Sequence, residues 1–246
     1  MAIDKVYPSR EAAMADIFDG ATIMIGGWGG WVGLPVGLIR ALKKKGTKNI
    51  YLIAINSGGQ VQDPSGEWAD NACLAEARQL RKVTCCWTKP AGFPVDPISP
   101  AARQIMEGTL ELELSPLGTL VERIRAGGAG IGGFYTQVGV GTVVERTKEK
   151  KIINGKEYIL EYPLTADFGL IRAFKADRMG NLVYHGVGRS ISNALAAASK
   201  VTIVEAEEIV EVGELDPGSI HTPAVYVQRI VEIAKEEILW RRKKSA

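Results

Sequence analysis

An α/β fold, with an open, mostly parallel sheet and helices on both faces, is predicted by three features of the 246-residue sequence. Short segments such as Ala21–Ile25, Ile50–Ile55 and Val201–Ala206 are largely apolar, as parallel strands covered on both faces are. The order strand, glycine-rich loop, helix, strand over residues 21–55 makes a βαβ unit. No linker or low-complexity segment interrupts the chain, so residues 1–246 are read as one domain.

The elements follow in order. Ser9 ahead of acidic Glu11 opens a helix to about Ile17, and Asp19-Gly20 makes the turn into the first strand, Ala21–Ile25. A glycine-rich loop, Gly26 to Pro35, leads to a helix over 38–45 whose terminal lysines suit the helix dipole. Ile50–Ile55 is the second strand and ends in Asn56-Ser57-Gly58-Gly59. Val83–Trp87 reads as a strand, Pro100–Gly108 as a helix, Leu110–Leu114 as a strand and Leu117–Ala126 as a helix, followed by the glycines of 127–133. Asn154-Gly155 is a strong hairpin turn and places a β-hairpin insertion within 142–162. Strands at Phe168–Phe174 and Leu182–Tyr184 flank a turn over 177–181. Ile191–Ala198 is a helix, Val201–Ala206 a strand, and Val225–Arg241 an amphipathic helix.

A net charge of +2, with acidic and basic residues interleaved, argues against a nucleic-acid partner. The basic run Arg241–Lys244 reads as a solvated end. The N-terminus lacks the apolar core of a signal peptide, and no apolar stretch nears the ~20 residues that span a bilayer. No membrane partner is therefore expected. Three cysteines, Cys73, Cys85 and Cys86, without a pairing framework point to a reducing, cytoplasmic setting. They read as core or interface residues, and with two histidines in the chain no metal site is expected.

Glycine-rich loops at the carboxyl ends of parallel strands can cradle phosphate or an oxyanion on backbone N–H groups, or can simply be tight turns. Neither loop fits a nucleotide fingerprint: Gly26–Gly33 lacks the Lys-Ser/Thr of a phosphate loop, and Gly127–Gly133 follows a helix instead of a strand. Asn56 is either an Asx-type turn cap or a donor to a ligand oxygen. Trp28 and Trp31 suit an apolar pocket wall or interface packing equally. Glu111 and Glu113 read as the solvated face of a strand, His185 as a loop residue, and His221 as a turn-ordering one.

The segment Asp19-Gly20-Ala-Thr-Ile-Met-Ile-Gly26-Gly27-Trp28 with Gly33-Leu34-Pro35 resembles the N-terminal signature of family I CoA-transferases. It departs in having Trp28 for Phe and one extra residue before Gly33. The likeness continues through Gly118–Ile131, Phe134-Tyr135-Thr136, Gly139–Thr142, Ala166-Asp-Phe, Lys175–Asn181, Val201–Glu205, Glu208–Pro217 and Ile220-His-Thr-Pro223. It is a likeness to the A-type (alpha) subunit of the 3-oxoacid CoA-transferases, and is weakest over 60–100. The resemblance implies the CoA-transferase (NagB/RpiA-like) fold. It further implies transfer of CoA from an acyl-CoA to a free carboxylic acid through a glutamyl-CoA thioester.

That glutamate belongs to a Glu-Asn-Gly motif of the B-type (beta) subunit. This chain has no such motif; its only Asn-Gly is the hairpin turn at 154–155. The resemblance therefore implies no catalytic residue in this chain. It implies a B-type partner, in a heterodimer or heterotetramer, with CoA as carried group and no permanently bound cofactor. Gly26, Gly27, Trp28, Asn56, Ser57 and Leu117 are the expected substrate-binding residues. Leu117 stands where 3-oxoacid enzymes carry a Gln that helps hold the substrate carboxylate, so a more apolar pocket is expected, with an acyl substrate other than acetoacetate and succinate or one held from elsewhere. A thioester or ring-opening hydrolase on the same fold, and a non-catalytic acyl-CoA-binding module, are the alternatives.

Overall fold

The structure, a computed structural model, describes residues 3–28, 33–88, 98–234 and 237. In chain order its strands are β1 (Thr22–Ile25), β2 (Ile50–Ala54), β3 (Leu80–Cys85), β4 (Glu111–Leu114), β5 (Phe134–Thr136), β6 (Lys150–Ile153) and β7 (Lys156–Glu161). They continue with β8 (Ala166–Asp177), β9 (Leu182–Val183), β10 (Ser199–Val210) and β11 (Arg229–Glu232). The helices are α1 (Arg10–Ala13), α2 (Val36–Lys45), α3 (Ala72–Glu76), α4 (Pro100–Met106), α5 (Leu117–Ala129) and α6 (Ser192–Ala198).

Among the described residues, eight strands form the main sheet in the order β11-β10-β8-β1-β2-β3-β4, with β9 turned back antiparallel onto β8. Every neighbouring pair along that path is parallel. Alternation along β1 divides the interior. Ile23 and Ile25 join a core under α1–α4, whereas Met24 joins Ile53, Leu120, Ile124 and Leu195 under α5 and α6. Both faces are covered, which is why the central strands tolerate apolar residues at nearly every position. Cys85 and Cys86 follow the same rule, one in each core.

The local signals behave as their chemistry requires. Ser9 Oγ accepts from the Ala12 N–H and caps α1, which ends at Ala13 instead of running to Ile17. Gly46 closes α2 in the left-handed conformation. The Asn154-Gly155 hairpin joins β6 to β7, but the insertion is a three-stranded meander, because β5 pairs with the other edge of β7. Residues 142–149 lie outside that ladder.

Three expectations are corrected. Residues 224–232 are not helical: Ala224–Tyr226 is a 3-10 turn, and β11 adds to β10 with Ile230 and Val231 buried in opposite cores. Ile233 and Ala234 are also outside any helix, Glu237 is helical, and the rest of that expected helix lies outside the described residues. The glycines at 127 and 128 are not a loop but the last turns of α5. A Cβ on Gly127 would stand 2.0 Å from the Leu164 carbonyl oxygen, and one on Gly128 2.9 Å from Ala197. They let α5 pack closely, so their purpose is steric. Glu113 is half-buried and bonded, not solvated: its carboxylate meets Arg123 Nη1 at 2.6 Å and Lys82 Nζ at 2.9 Å.

Candidate active site

The chain enters the sheet at β1, builds outward through β2, β3 and β4, and later returns to β1's other side with β8. The helices α2 and α6, which follow β1 and the β8–β9 pair, pack in the two opposite cores, so a crevice opens at the carboxyl edge of β1, the usual ligand position in open α/β sheets. The loop after β1 and the loop after β9 meet there. A Cβ on Gly33 would lie 2.7 Å from both Cα and O of Gly188, and Ser190 Oγ donates to the Gly27 carbonyl at 3.3 Å. Ser190 takes φ +36° and ψ −127°, a costly conformation for a residue with a Cβ and one that recurs at functional sites. Beneath them, a Cβ on Gly26 would reach Ser192 Oγ at 3.0 Å and Ile171 Cγ2 at 3.1 Å. Glycine is needed at 26 for close approach, and at 33 both for close approach and for its φ of +70°.

The crevice wall facing α2 and α3 is formed by Gly26, Gly27, Asn56, Gln60, Asp70 and Asn71. Of the two readings of Asn56, the structure shows the turn cap. Its Oδ1 accepts from the Gly58 N–H at 2.9 Å, an Asx turn, which leaves the Nδ2 donor only a long 3.5 Å contact with Gln60 Oε1. Asp70 is 3% exposed, and its carboxylate accepts from the N–H groups of Gly59, Gln60, Val61 and Ala72 at 2.7 to 3.0 Å. Burial pushes the Asp70 carboxyl up, against the pull of those backbone donors. Asn71 Nδ2 donates to the Asn56 carbonyl at 3.1 Å.

The six residues expected from sequence separate into groups. Gly26, Gly27 and Asn56 come together in the crevice. Ser57 is buried and turned away, donating to the Thr88 carbonyl at 3.3 Å. Trp28 is 45% exposed at the end of the described part of its loop, and Trp31 lies outside the described residues. Leu117 begins α5 on the sheet's other face, half-buried against the second core together with Cys86 and Trp87. His221 orders its turn, since Nδ1 accepts from the Tyr184 N–H at 3.0 Å, and His185 is an exposed loop residue. Sequence reasoning missed Asp70 and Asn71. Their signal was an Asp-Asn pair just ahead of a short helix, following Gly58-Gly59 by some ten residues, a spacing that means nothing until the loop closes on itself.

Residues 7–233 match the family described as coenzyme A transferase. The chain belongs to the coenzyme A transferase family. It is 43% identical over 233 residues to the A-type chain of the probable succinyl-CoA:3-ketoacid coenzyme A transferase of Bacillus subtilis, covering 95% of this chain and 92% of that one. To the A-type chain of the 3-oxoadipate CoA-transferase of Pseudomonas putida it is 40% identical over 233 residues, covering 94% and 95%. An acyl-CoA transferase of Escherichia coli O157:H7 shares the fold, with a TM-score of 0.79 at 20% identity, over 95% of this chain and 48% of that one. The resemblance carried by residues 19–35 and 118–223 is thus borne out for the family, and the parallel sheet with helices on both faces is the fold of a CoA-transferase. No helix among the described residues is long and apolar enough to cross a membrane.

Proposed function

We propose that this CoA-transferase chain is the A-type half of a two-subunit enzyme that moves CoA from an acyl-CoA to a free carboxylic acid. The nucleophile is a glutamate of a B-type partner. It attacks the thioester carbonyl and expels the thiolate of CoA, leaving an acyl-glutamyl anhydride; the thiolate attacks the glutamyl carbonyl and releases the first acid as its carboxylate, and an acceptor carboxylate discharges the glutamyl-CoA thioester by the reverse steps, leaving with CoA as the new acyl-CoA. The observation that carries this reading is the crevice itself. It presents the Asn56 amide, whose Nδ2 donates only over a long 3.5 Å to Gln60 Oε1, while the carboxylate among its described lining residues, Asp70, is occupied by four backbone N–H groups. This chain supplies a wall and a hydrogen-bond donor; the attacking carboxylate comes from elsewhere. The relatives named as A-type subunits, and the lack of Glu-Asn-Gly in this sequence, support the same division of labour.

In this assignment Gly26 and Gly27 let the acyl group approach the backbone, and Asn56 Nδ2 donates to the thioester or carboxylate oxygen as negative charge develops on it. Trp28 makes the acyl pocket more apolar, Leu117 borders it from the start of α5 on the sheet's other face, and Ser57 supports the loop from behind. Leu117 offers a carboxylate no donor, so the acid differs from acetoacetate and succinate or is held from elsewhere. The enzyme works in the cytoplasm as a heterodimer or as a heterotetramer of two such pairs, with CoA carried and no cofactor held permanently. Free thiols at Cys73, Cys85 and Cys86 agree with a reducing compartment.

The test is co-expression with a B-type partner and intact-mass analysis after incubation with a panel of acyl-CoAs. The expected result is a CoA adduct on the partner, none on this chain, discharged by an added acid. CoA release without an acceptor would turn the assignment to hydrolysis. Failure to form a complex, with acyl-CoA bound by this chain alone, would turn it to a binding module.

A further inference from the structure

The loop after β2 is tied to the sheet at Asn56, which is bridged to Trp87, and among the described residues it leaves the sheet from there. Residues 56–61 leave the strand's end, and beyond Gln60 the chain makes a small excursion, with Gln62 bridged to Trp68 and the Ala69 N–H bonded to the Val61 carbonyl at 2.8 Å. That excursion returns residues 70 and 71 to the base of the loop. There the Asp70 carboxylate gathers the consecutive N–H groups of Gly59, Gln60 and Val61, and ties them to the Ala72 N–H at the start of α3. Three neighbouring backbone donors converging on one buried carboxylate form a rigid nest. Asn71 adds the second tether. Its amide orientation is fixed by chemistry, since the Asn56 carbonyl can only accept, so the NH2 group must face it. The fit is tight: a Cβ on Gly58 would stand 2.1 Å from the Ala72 nitrogen.

We propose that Asp70 and Asn71 are positioning residues for Asn56, and that they set the direction in which its Nδ2 donor enters the crevice. The inference rests on the assignment of Asn56 as a substrate donor. Asn71 holds the Asn56 backbone, Asp70 holds the three residues beyond the Asx turn, and Oδ1 of Asn56 is spent on that turn. These restraints leave one side-chain atom for substrate, Nδ2, which is otherwise engaged only by the long 3.5 Å bond to Gln60 Oε1. β2 itself is paired with β1 and β3 on its two sides, so losing the nest releases the loop and not the strand. Both tethers belong to the part of the sequence that departs most from the family signature. The anchor is a place through which the direction of the donor, and with it the choice of acid, can be adjusted without touching Asn56.

A double-mutant cycle on the two-subunit enzyme tests this, with kcat and KM read separately for transfer from acyl-CoA to an acid. Asn56→Ala should lower kcat/KM about 100-fold. Asp70→Asn should lower it about tenfold through misplacement of the donor. The double variant should be no worse than Asn56→Ala by more than about twofold, and both single variants should show the same division between kcat and KM. A structural role alone predicts multiplied losses in the double variant, and that result, or an unchanged Asp70→Asn enzyme beside a damaged Asn56→Ala one, overturns the inference. A neutral Asn56→Ala overturns the assignment of Asn56 and with it this proposal. If Asp70→Asn does not fold, the cycle is run with Asn71→Ala, which removes only the tether to the Asn56 carbonyl and carries the same expectation.

Discussion

Gly33→Ala separates the two demands placed on a glycine at the site. Gly33 has φ +70°, where a side chain costs about 1–2 kcal/mol. Its Cβ would also stand 2.7 Å from backbone atoms of Gly188, whereas ordinary contact begins at 3.4 Å. One loop must retreat by about 0.7 Å, and overpacking of this kind costs about 1–3 kcal/mol. Gly46 supplies the control. It has φ +77° with nothing within 4 Å of its Cβ position, so Gly46→Ala carries the backbone penalty alone. Urea denaturation should therefore place Gly33→Ala below Gly46→Ala by about 1–3 kcal/mol. In the two-subunit enzyme, displacing the Gly188–Ser190 loop also disturbs its bond to the Gly27 carbonyl. Gly33→Ala should then lose about 10- to 100-fold in kcat/KM, while Gly46→Ala keeps wild-type activity. Equal stability and equal activity for the two variants would refute the idea that the loops after β1 and β9 are mutually fitted.

Other expectations follow from the same structure. Arg123 bonds Glu113 at 2.6 Å and the Tyr162 carbonyl at 2.8 Å, beside Glu161, which is 1% exposed. Arg123→Leu strands a buried carboxylate with Lys148 alone and should cost about 3–5 kcal/mol in urea unfolding; a loss below about 1 kcal/mol would contradict the buried network. Burial pushes the thiols of Cys73, Cys85 and Cys86 up to about 12. The unfolded chain releases these protons near pH ~8.5 while the folded one keeps them, so stability falls as pH rises from there toward 12. A triple alanine variant should flatten that fall, and an unchanged slope between pH 8 and 10.5 would show that the thiols play no part. Leu117→Gln restores a donor and should raise kcat/KM toward 3-oxoacids about tenfold, at the stability cost of a polar group against the second core; no change in acid preference would remove residue 117 from the pocket.

Much of this protein could be read from neighbouring residues alone. The apolar segments that became β1, β2 and β10, the serine cap of α1, the Gly46 stop of α2 and the Asn154-Gly155 turn were legible because their causes lie within a few residues. Family membership was equally legible in the runs around Gly26-Gly27 and Gly118–Ile131. Three things depended on the tertiary structure. The segment that became β11 carries a helical pattern, yet it adds to the edge of β10, where pairing and two cores outweigh local propensity. The glycines at 127 and 128 look like a loop until Leu164 and Ala197 come to lie against them. At the site, Asn56 could be named as a candidate, but not the Asp70–Asn71 nest that orients it or the contact of Gly33 with Gly188, across 155 residues of chain. Those depend on strand order: only when β8 returns beside β1, and the excursion after β2 folds back, do residues distant in sequence become neighbours whose hydrogen bonds and sizes must match.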